Sequence, residues 1–212
     1  MKKVLTIIIS IALVAAVAVG GTLAYLSSTA NDTELKNTFI TTTPGSKLDI
    51  TLFEHEVDEN TGLNLEEGEW VTENNYPIIP GAIMHKDPTV TVKANSSPCY
   101  VFVYVKDDAT LNGKDAADIG QINSDWVAVD TYSYPGLYAY RSGDVVSTST
   151  ADNVLPAVFT SITINKDLTV ADTKYTPQGE ISVKAYAYQA SAGVTYDDAK
   201  TAAINLFFPA NP

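Results

Sequence analysis

The sequence predicts an all-β fold, an antiparallel β-sandwich with one short C-terminal helix. Three features predict it. Several short runs alternate apolar and polar residues with period two, as half-buried strands do. Clusters of Pro, Gly, Asn and Ser separate those runs. Helical spacing is prominent only near the end of the chain, so strands and helices do not alternate as they do in parallel α/β folds.

The chain opens with Lys2 and Lys3, followed by an apolar run from Val4 to Val19 that only Thr6 and Ser10 interrupt. Gly20-Gly21 ends the run, and Thr22-Leu23-Ala24 places small residues at the first and third positions. A charged start, a short apolar core and a small-x-small exit predict a secretory signal peptide over residues 1–24, cut between Ala24 and Tyr25. The run has 16 residues, below the ~20 that span a bilayer. Membrane contact is therefore expected only transiently, during export.

Residues 25–40 form a second unit. Apart from Tyr25, Leu26, Leu35, Phe39 and Ile40 they carry no large apolar group. From Thr33 to Phe39, Leu35, Asn37 and Phe39 would share one face of a strand, with Glu34, Lys36 and Thr38 opposite. A terminal segment of this kind has two fates. It pairs within its own domain, or it inserts into the sheet edge of a neighbour. Thr41-Thr42-Thr43-Pro44-Gly45 reads as a loop separating it from the main domain, residues 41–212.

Within that domain, Lys47 to Val57 alternates Leu48, Ile50 and Leu52 with Asp49, Thr51 and Phe53, and predicts a strand. Asp58 to Trp70 is acidic and Gly-containing, a loop or short hairpin. Tyr76 to Gly81 is a turn whose prolines exclude helix. Lys86 to Lys93 is a strand, Asn95 to Pro98 a turn, and Cys99 to Val105 a strand that is apolar throughout, as suits coverage on both faces. Lys106 to Ser124 is polar, and its composition predicts one short helix around Lys114 to Ile122. Short strands follow at Asp125–Asp130, Leu137–Arg141 and Phe159–Ile164. Tyr132, Tyr134, Tyr138 and Tyr140 are expected to pack one face with their hydroxyls at the rim, or else to form a sugar- or partner-binding surface. Glu180 to Ala190 alternates Ile181, Val183, Ala185 and Ala187 with Ser182, Lys184, Tyr186 and Tyr188, another strand. Ala199, Ala202, Ala203 and Leu206 stand at helical spacing after Asp197-Asp198, which suits a helix N-terminus.

Composition limits function. Loss of residues 1–24 from 212 leaves 188, enough for one domain with a substantial core. Loss of Lys2 and Lys3 takes the basic residues from 13 to 11 against 25 acidic ones, a net charge of −14. Such a surface repels phosphate backbones, so no nucleic-acid partner is expected. Cys99 is the only cysteine. It excludes an internal disulfide and a thiolate metal cluster, and its setting predicts a small apolar core residue.

The junction Gly20-Gly21-Thr22-Leu23-Ala24-Tyr25-Leu26, followed by Asn37-Thr38-Phe39, resembles the TasA/camelysin (CalY) family of Gram-positive bacteria. Leu26 and Ser27-Ser28 depart from it where many relatives carry Phe and Asp. Two further stretches add to the resemblance: the Pro80-Gly81 turn with Lys86-Asp87-Pro88-Thr89-Val90 and Tyr100-Val101-Phe102-Val103, and Ala185-Tyr186-Ala187-Tyr188-Gln189-Ala190. The resemblance implies a jelly-roll-like sandwich, cleavage at Ala24–Tyr25 by a SipW-type signal peptidase, and an extracellular, biofilm-matrix type of protein fibre. It further implies head-to-tail self-assembly by donor-strand complementation. Tyr25, Leu26, Leu35, Asn37, Phe39 and Ile40 are then the polymerisation segment, and a minor anchor or nucleator protein is a further partner that the resemblance allows. The chain end, Phe207 to Pro212, lacks an apolar tail and basic cluster, so sortase attachment is not expected. The alternative is a monomeric secreted or surface-held binding domain, adhesin-like, whose residues 25–40 fold back on their own domain.

The camelysin branch has been classed among metallopeptidases, which turns attention to zinc. A catalytic zinc wants three protein ligands and a general base. Only His55 and His85 exist, 30 positions apart, and no His-Glu-x-x-His pattern occurs. Strand alternation sends Glu54 and Glu56 to one face and His55 to the other. Glu54-His55-Glu56 and His85-Lys86-Asp87 could meet across a sheet, and a zinc-requiring metallopeptidase using His55 and His85 is the third, least favoured reading. The expectation is that the histidines are exposed near strand ends, with no metal, no cofactor and no catalytic residue. Asp107-Asp108 and Asp197-Asp198 are expected to be solvated turn or helix-start residues; no calcium-loop pattern supports them as ligands.

Overall fold

The computed structural model describes residues 27–30 as backbone, and residues 47–65, 68–147, 149–169, 171–175 and 177–209. The predicted cut at Ala24–Tyr25 and the predicted polymerisation residues Tyr25, Leu26, Leu35, Asn37, Phe39 and Ile40 lie outside the described residues. In chain order the strands are β1 Ser27–Ala30, β2 Ile50–His55, β3 Trp70–Val71, β4 Ile83–His85, β5 Thr89–Val92, β6 Cys99–Asp107 and β7 Thr110–Leu111. They continue with β8 Lys114–Asp115, β9 Ala117–Ile119, β10 Trp126–Ala128, β11 Leu137–Tyr140, β12 Asn153–Val154, β13 Ser161–Ile164 and β14 Ile181–Gln189. Helix α1, Tyr196–Phe207, closes the fold.

All strand pairings are antiparallel. The largest sheet has the order β1-β14-β6-β11-β10; a second has β12-β5-β2-β3 and a third β4-β13-β9. One face of the largest sheet presents Val101, Val103 and Val105 of β6 and Val183, Ala185 and Ala187 of β14. These pack against Ile50 and Leu52 of β2, Val90 and Val92 of β5, and Ile162 and Ile164 of β13. Its other face presents Phe102, Tyr186 and Tyr188 to Ala199 and Ala203 of α1. The expected all-β sandwich with a short C-terminal helix is thus the observed architecture. β6 is apolar at nearly every position because both its faces are covered. Cys99 is fully buried as expected, and burial pushes its thiol up to about 12.

Helix α1 begins where its sequence provides a cap. The Thr195 hydroxyl accepts from the Asp198 backbone N–H at 3.3 Å, and the Asp198 carboxylate accepts from the Thr195 backbone N–H at 2.8 Å. This reciprocal box satisfies two N–H groups that the first turn leaves unpaired. The helix is then held by aromatic packing: Tyr196 stacks on Phe102 at 5.9 Å, and Phe207 on Tyr104 at 5.3 Å.

Two expectations need correction. The segment Lys114 to Ile122 is not helical. It contains β8 and β9, and β8 returns on β7 as a hairpin that pairs Leu111 with Lys114. The two loop residues are Asn112 and Gly113, both left-handed, with φ 53° and 72°. An Asn-Gly pair with two positive φ values matches the twist of a two-residue hairpin, and that local geometry overrides the helix-compatible composition. The tyrosines also fail to share one face. Tyr138 and Tyr140 turn into the core between the sheets, Tyr134 packs on Phe208 at 5.4 Å in the helix layer, and Tyr132 is 96% exposed.

A buried carboxylate fastens the β7–β8 hairpin to the following turn. Asp172 accepts from Asn112 Nδ2 at 2.7 Å, Lys114 Nζ at 2.9 Å, and the Thr169 backbone N–H and hydroxyl at 2.7 and 2.8 Å. Hydrogen bonds from Asn112, Lys114 and Thr169 hold its acidity far below the usual carboxylate value. A depressed native pKa stabilises the fold above the unfolded-state value of about 4, and that contribution is lost as pH falls through the lower native value. We therefore expect Asp172→Asn to lower the melting temperature at neutral pH, with the gap to wild type narrowing as pH falls below about 4. A gap that is constant with pH would refute this. Thr195→Ala, which removes the helix cap, is expected to cost about 1 kcal/mol in urea unfolding.

Candidate functional site

Where β2 and β5 part, a proline decides the geometry. The ladder pairs Phe53 with Thr89, and the same register would set His55 opposite Asp87. Pro88 has no N–H to donate, so the ladder stops there. The Asp87 side chain takes over: its Oδ1 accepts the His55 backbone N–H at 2.9 Å. The Thr89 hydroxyl donates to the Asp87 carbonyl at 2.8 Å, and Asp87 is only 7% exposed.

Three donor groups converge at this point. His55 Nδ1 lies 2.6 Å from Asp87 Oδ2, and His85 Nε2 lies 3.3 Å from Asp87 Oδ1. One donor atom from each of His55, His85 and Asp87 lies within 4.8 Å of the other two. His55 is fixed on its other side by its cross-strand partner Trp70, whose ring centroid is 3.9 Å away. His85 is fixed by the β4–β13 ladder opposite Ser161, and its N–H donates to the Gly62 carbonyl at 2.8 Å. Gly62 has φ +69°, and a Cβ there would stand 2.5 Å from Met84 Sδ. The loop therefore reaches His85 only because this position is glycine.

The expectation of two exposed histidines near strand ends is thus corrected. The rings are half-buried and share one carboxylate. The expected alternation itself holds: Glu54 faces away from His55 into the interior. There Lys86 Nζ donates to Glu54 Oε2 at 2.7 Å and Asn74 Nδ2 to Glu54 Oε1 at 3.0 Å. Burial, then the charges of Glu54 and Asp87, push the neighbouring Tyr76 phenol well above its ordinary value. The same alternation acts on both segments. It puts Glu54 with Lys86 on one side, and His55 with His85 and Asp87 on the other. The chemical capacity is that of two imidazoles and one carboxylate around a common point. Glu56, the other acid beside His55, is exposed.

The second feature is the outer edge of β14. β1 adds there, pairing Ser27 with Tyr188, Ser28 with Ala187, Thr29 with Tyr186 and Ala30 with Ala185. The paired stretch precedes the alternating segment Thr33–Phe39 singled out by sequence, which lies outside the described residues. Sequence reasoning raised a meeting of the His55 and His85 segments across a sheet but set it aside in favour of two exposed histidines. The available signal was Asp87-Pro88: a proline that ends a ladder frees the preceding carboxylate to receive the partner strand's N–H.

The Glu54–Lys86 pair makes a strong demand on stability. Lys86→Met leaves a buried carboxylate without its cation and is expected to cost about 3–5 kcal/mol in denaturant unfolding. Glu54→Leu combined with Lys86→Met removes both charges and is expected to recover most of that loss. A double variant no more stable than Lys86→Met would overturn this account.

No protein-family model, no curated protein and no solved structure matches the chain.

Proposed function

We propose that the protein is an exported structural subunit that polymerises head to tail by passing its N-terminal strand to the β14 edge of a neighbour. The single observation that carries this reading is the pairing of β1 with β14 at the rim of the largest sheet. A strand added at an edge forms the same backbone hydrogen bonds whether it comes from its own chain or another. Twenty positions separate Ala30 from Ile50. At ~3.3–3.6 Å per extended residue, that length does not confine β1 to its own domain. A contact between one chain's strand and the next chain's edge is heterologous and propagates as a filament.

The resemblance to the TasA/camelysin family supports the same reading. It brings a jelly-roll connectivity, export and cleavage after Ala24, and a fibre of extracellular-matrix type. Its polymerisation segment extends the donor from the observed Ser27–Ala30 to Leu35 and Phe39. The high negative charge opposes association at low salt, so assembly depends on screening.

A second reading has an observation of its own. β1 pairs within one chain, which is what a closed, monomeric binding domain requires. In the fibre reading this closed state is the resting monomer, and exchange of β1 opens it.

Chains beginning at Tyr25 and at Thr41, compared by light scattering and negative-stain microscopy across a salt series, separate the two. The fibre reading expects filaments from the longer chain alone. Ser28→Cys with Ala187→Cys, in a Cys99→Ala background, should then yield a ladder of cross-linked chains on oxidation during assembly. Compact monomers from both chains under every condition, seeding included, together with cross-links confined within single chains, would establish the closed domain instead.

A further inference from the structure

We propose that His55, His85 and Asp87 form a binding site for one zinc-class divalent ion. The ligands would be His55 Nδ1, His85 Nε2 and one carboxylate oxygen of Asp87. The inference does not depend on the fibre reading.

The donor set points to this class of ion. Two imidazoles with one carboxylate suit borderline transition metals and are poor ligands for calcium or magnesium, which take oxygen. The spacing fits as well. Zinc bonds of 2.0–2.1 Å in a tetrahedron put neighbouring ligand atoms about 3.3 Å apart. His85 Nε2 and Asp87 Oδ1 already stand 3.3 Å apart. His55 Nδ1 stands 2.6 Å from the other oxygen, Asp87 Oδ2; with one donor atom of each residue within 4.8 Å of the other two, small side-chain rotations bring all three to one ion. Three protein ligands leave the fourth position to water or to an outside group.

The hydrogen-bond inventory favours a metal over a simple ion pair. The contact between His55 Nδ1 and Asp87 Oδ2 accounts for one ring. It leaves His85 Nε2, a buried atom with no hydrogen-bond partner among the described residues; its approach to Asp87 Oδ1 lacks hydrogen-bond geometry. A buried imidazole nitrogen left unpaired is unfavourable, and such atoms mark places where an ion or water belongs. A single cation at the shared point satisfies both rings and the carboxylate together.

The supporting shell is already in place. Asp87 Oδ1 is oriented by the His55 backbone N–H, and Trp70 covers the His55 ring. Groups that orient ligands in this way are part of what makes a metal site tight. The ligands come from two sheets, His55 from the β2 sheet and His85 from the β4 sheet, with Asp87 in the link between β4 and β5. A bound ion would join the two sheets beside Pro88, where the β2–β5 ladder ends.

The test uses the full-length chain purified without a histidine tag and stripped with a chelator. Zinc titration by calorimetry should give one site per chain. Cobalt(II) should produce the visible absorption of a tetrahedral complex and quench the fluorescence of Trp70, but not that of a Trp70→Phe variant beyond its background. The melting temperature should rise with zinc concentration, as linkage requires. His85→Gln is the principal variant, because Asp87 also supports the fold. It should keep the metal-free melting temperature while binding zinc at least about a hundredfold more weakly, since even the outer partners of metal ligands are worth 10–100-fold. His55→Gln should behave alike. Absence of saturable zinc binding to the wild-type chain, or equal binding by wild type and His85→Gln, would overturn the proposal.

Discussion

The pairing of β6 with β14 is the constraint on which the rest of the molecule depends. Their register runs without a break from Cys99 opposite Gln189 to Asp107 opposite Ile181. Over Cys99–Val105 and Ala185–Tyr188 both faces of the pair are covered, so a slip of one residue would exchange Val101, Val103 and Val105 with Phe102 and Tyr104. Neither layer accepts that exchange. The valines fill the narrow space between the sheets, and the aromatics fill the space under α1. Ala185 and Ala187 on one side, and Ala199 and Ala203 on the other, are small enough to let the layers close. The outer edge of β14, to which β1 adds, exists because β6 holds the inner edge.

Pro88 imposes the second constraint. By ending the β2–β5 ladder it leaves the His55 N–H without a backbone acceptor, and the Asp87 carboxylate fills that need. Strand alternation on either side then sorts the polar groups. Glu54, Lys86 and Asn74 form a satisfied cluster inside, while His55, His85 and Asp87 gather at a partly exposed seam. A device that ends a sheet cleanly therefore also assembles the densest group of potential ligand atoms among the described residues.

Much of the fold was legible from local pattern. The alternation in β2 and β14, the continuous apolar run of β6 and the helical spacing of Ala199 and Ala203 each state their own burial. The β7–β8 hairpin was legible too, in Asn112-Gly113, but the polar composition of the flanking residues pointed the other way. The histidine grouping was not legible in the same sense. Alternation correctly separated Glu54 from His55, yet it carried no information about which residues from another strand would meet that face. Tyr132, Tyr134, Tyr138 and Tyr140 show the same limit: their spacing suggests one surface, and a turn between Tyr134 and Leu137 distributes them over two layers and solvent.

By itself, the sequence determined whatever depends on a few neighbouring residues. That includes strand periodicity, the Thr195–Asp198 cap, the proline that stops a ladder, and the net negative charge. The tertiary structure alone decided which strands neighbour one another, that β1 lies on β14, and that His55 meets a carboxylate 32 positions away. The physical reason is that burial and hydrogen bonding reward pairings irrespective of sequence distance. Local pattern names the face a residue occupies, and only packing names what lies across from it.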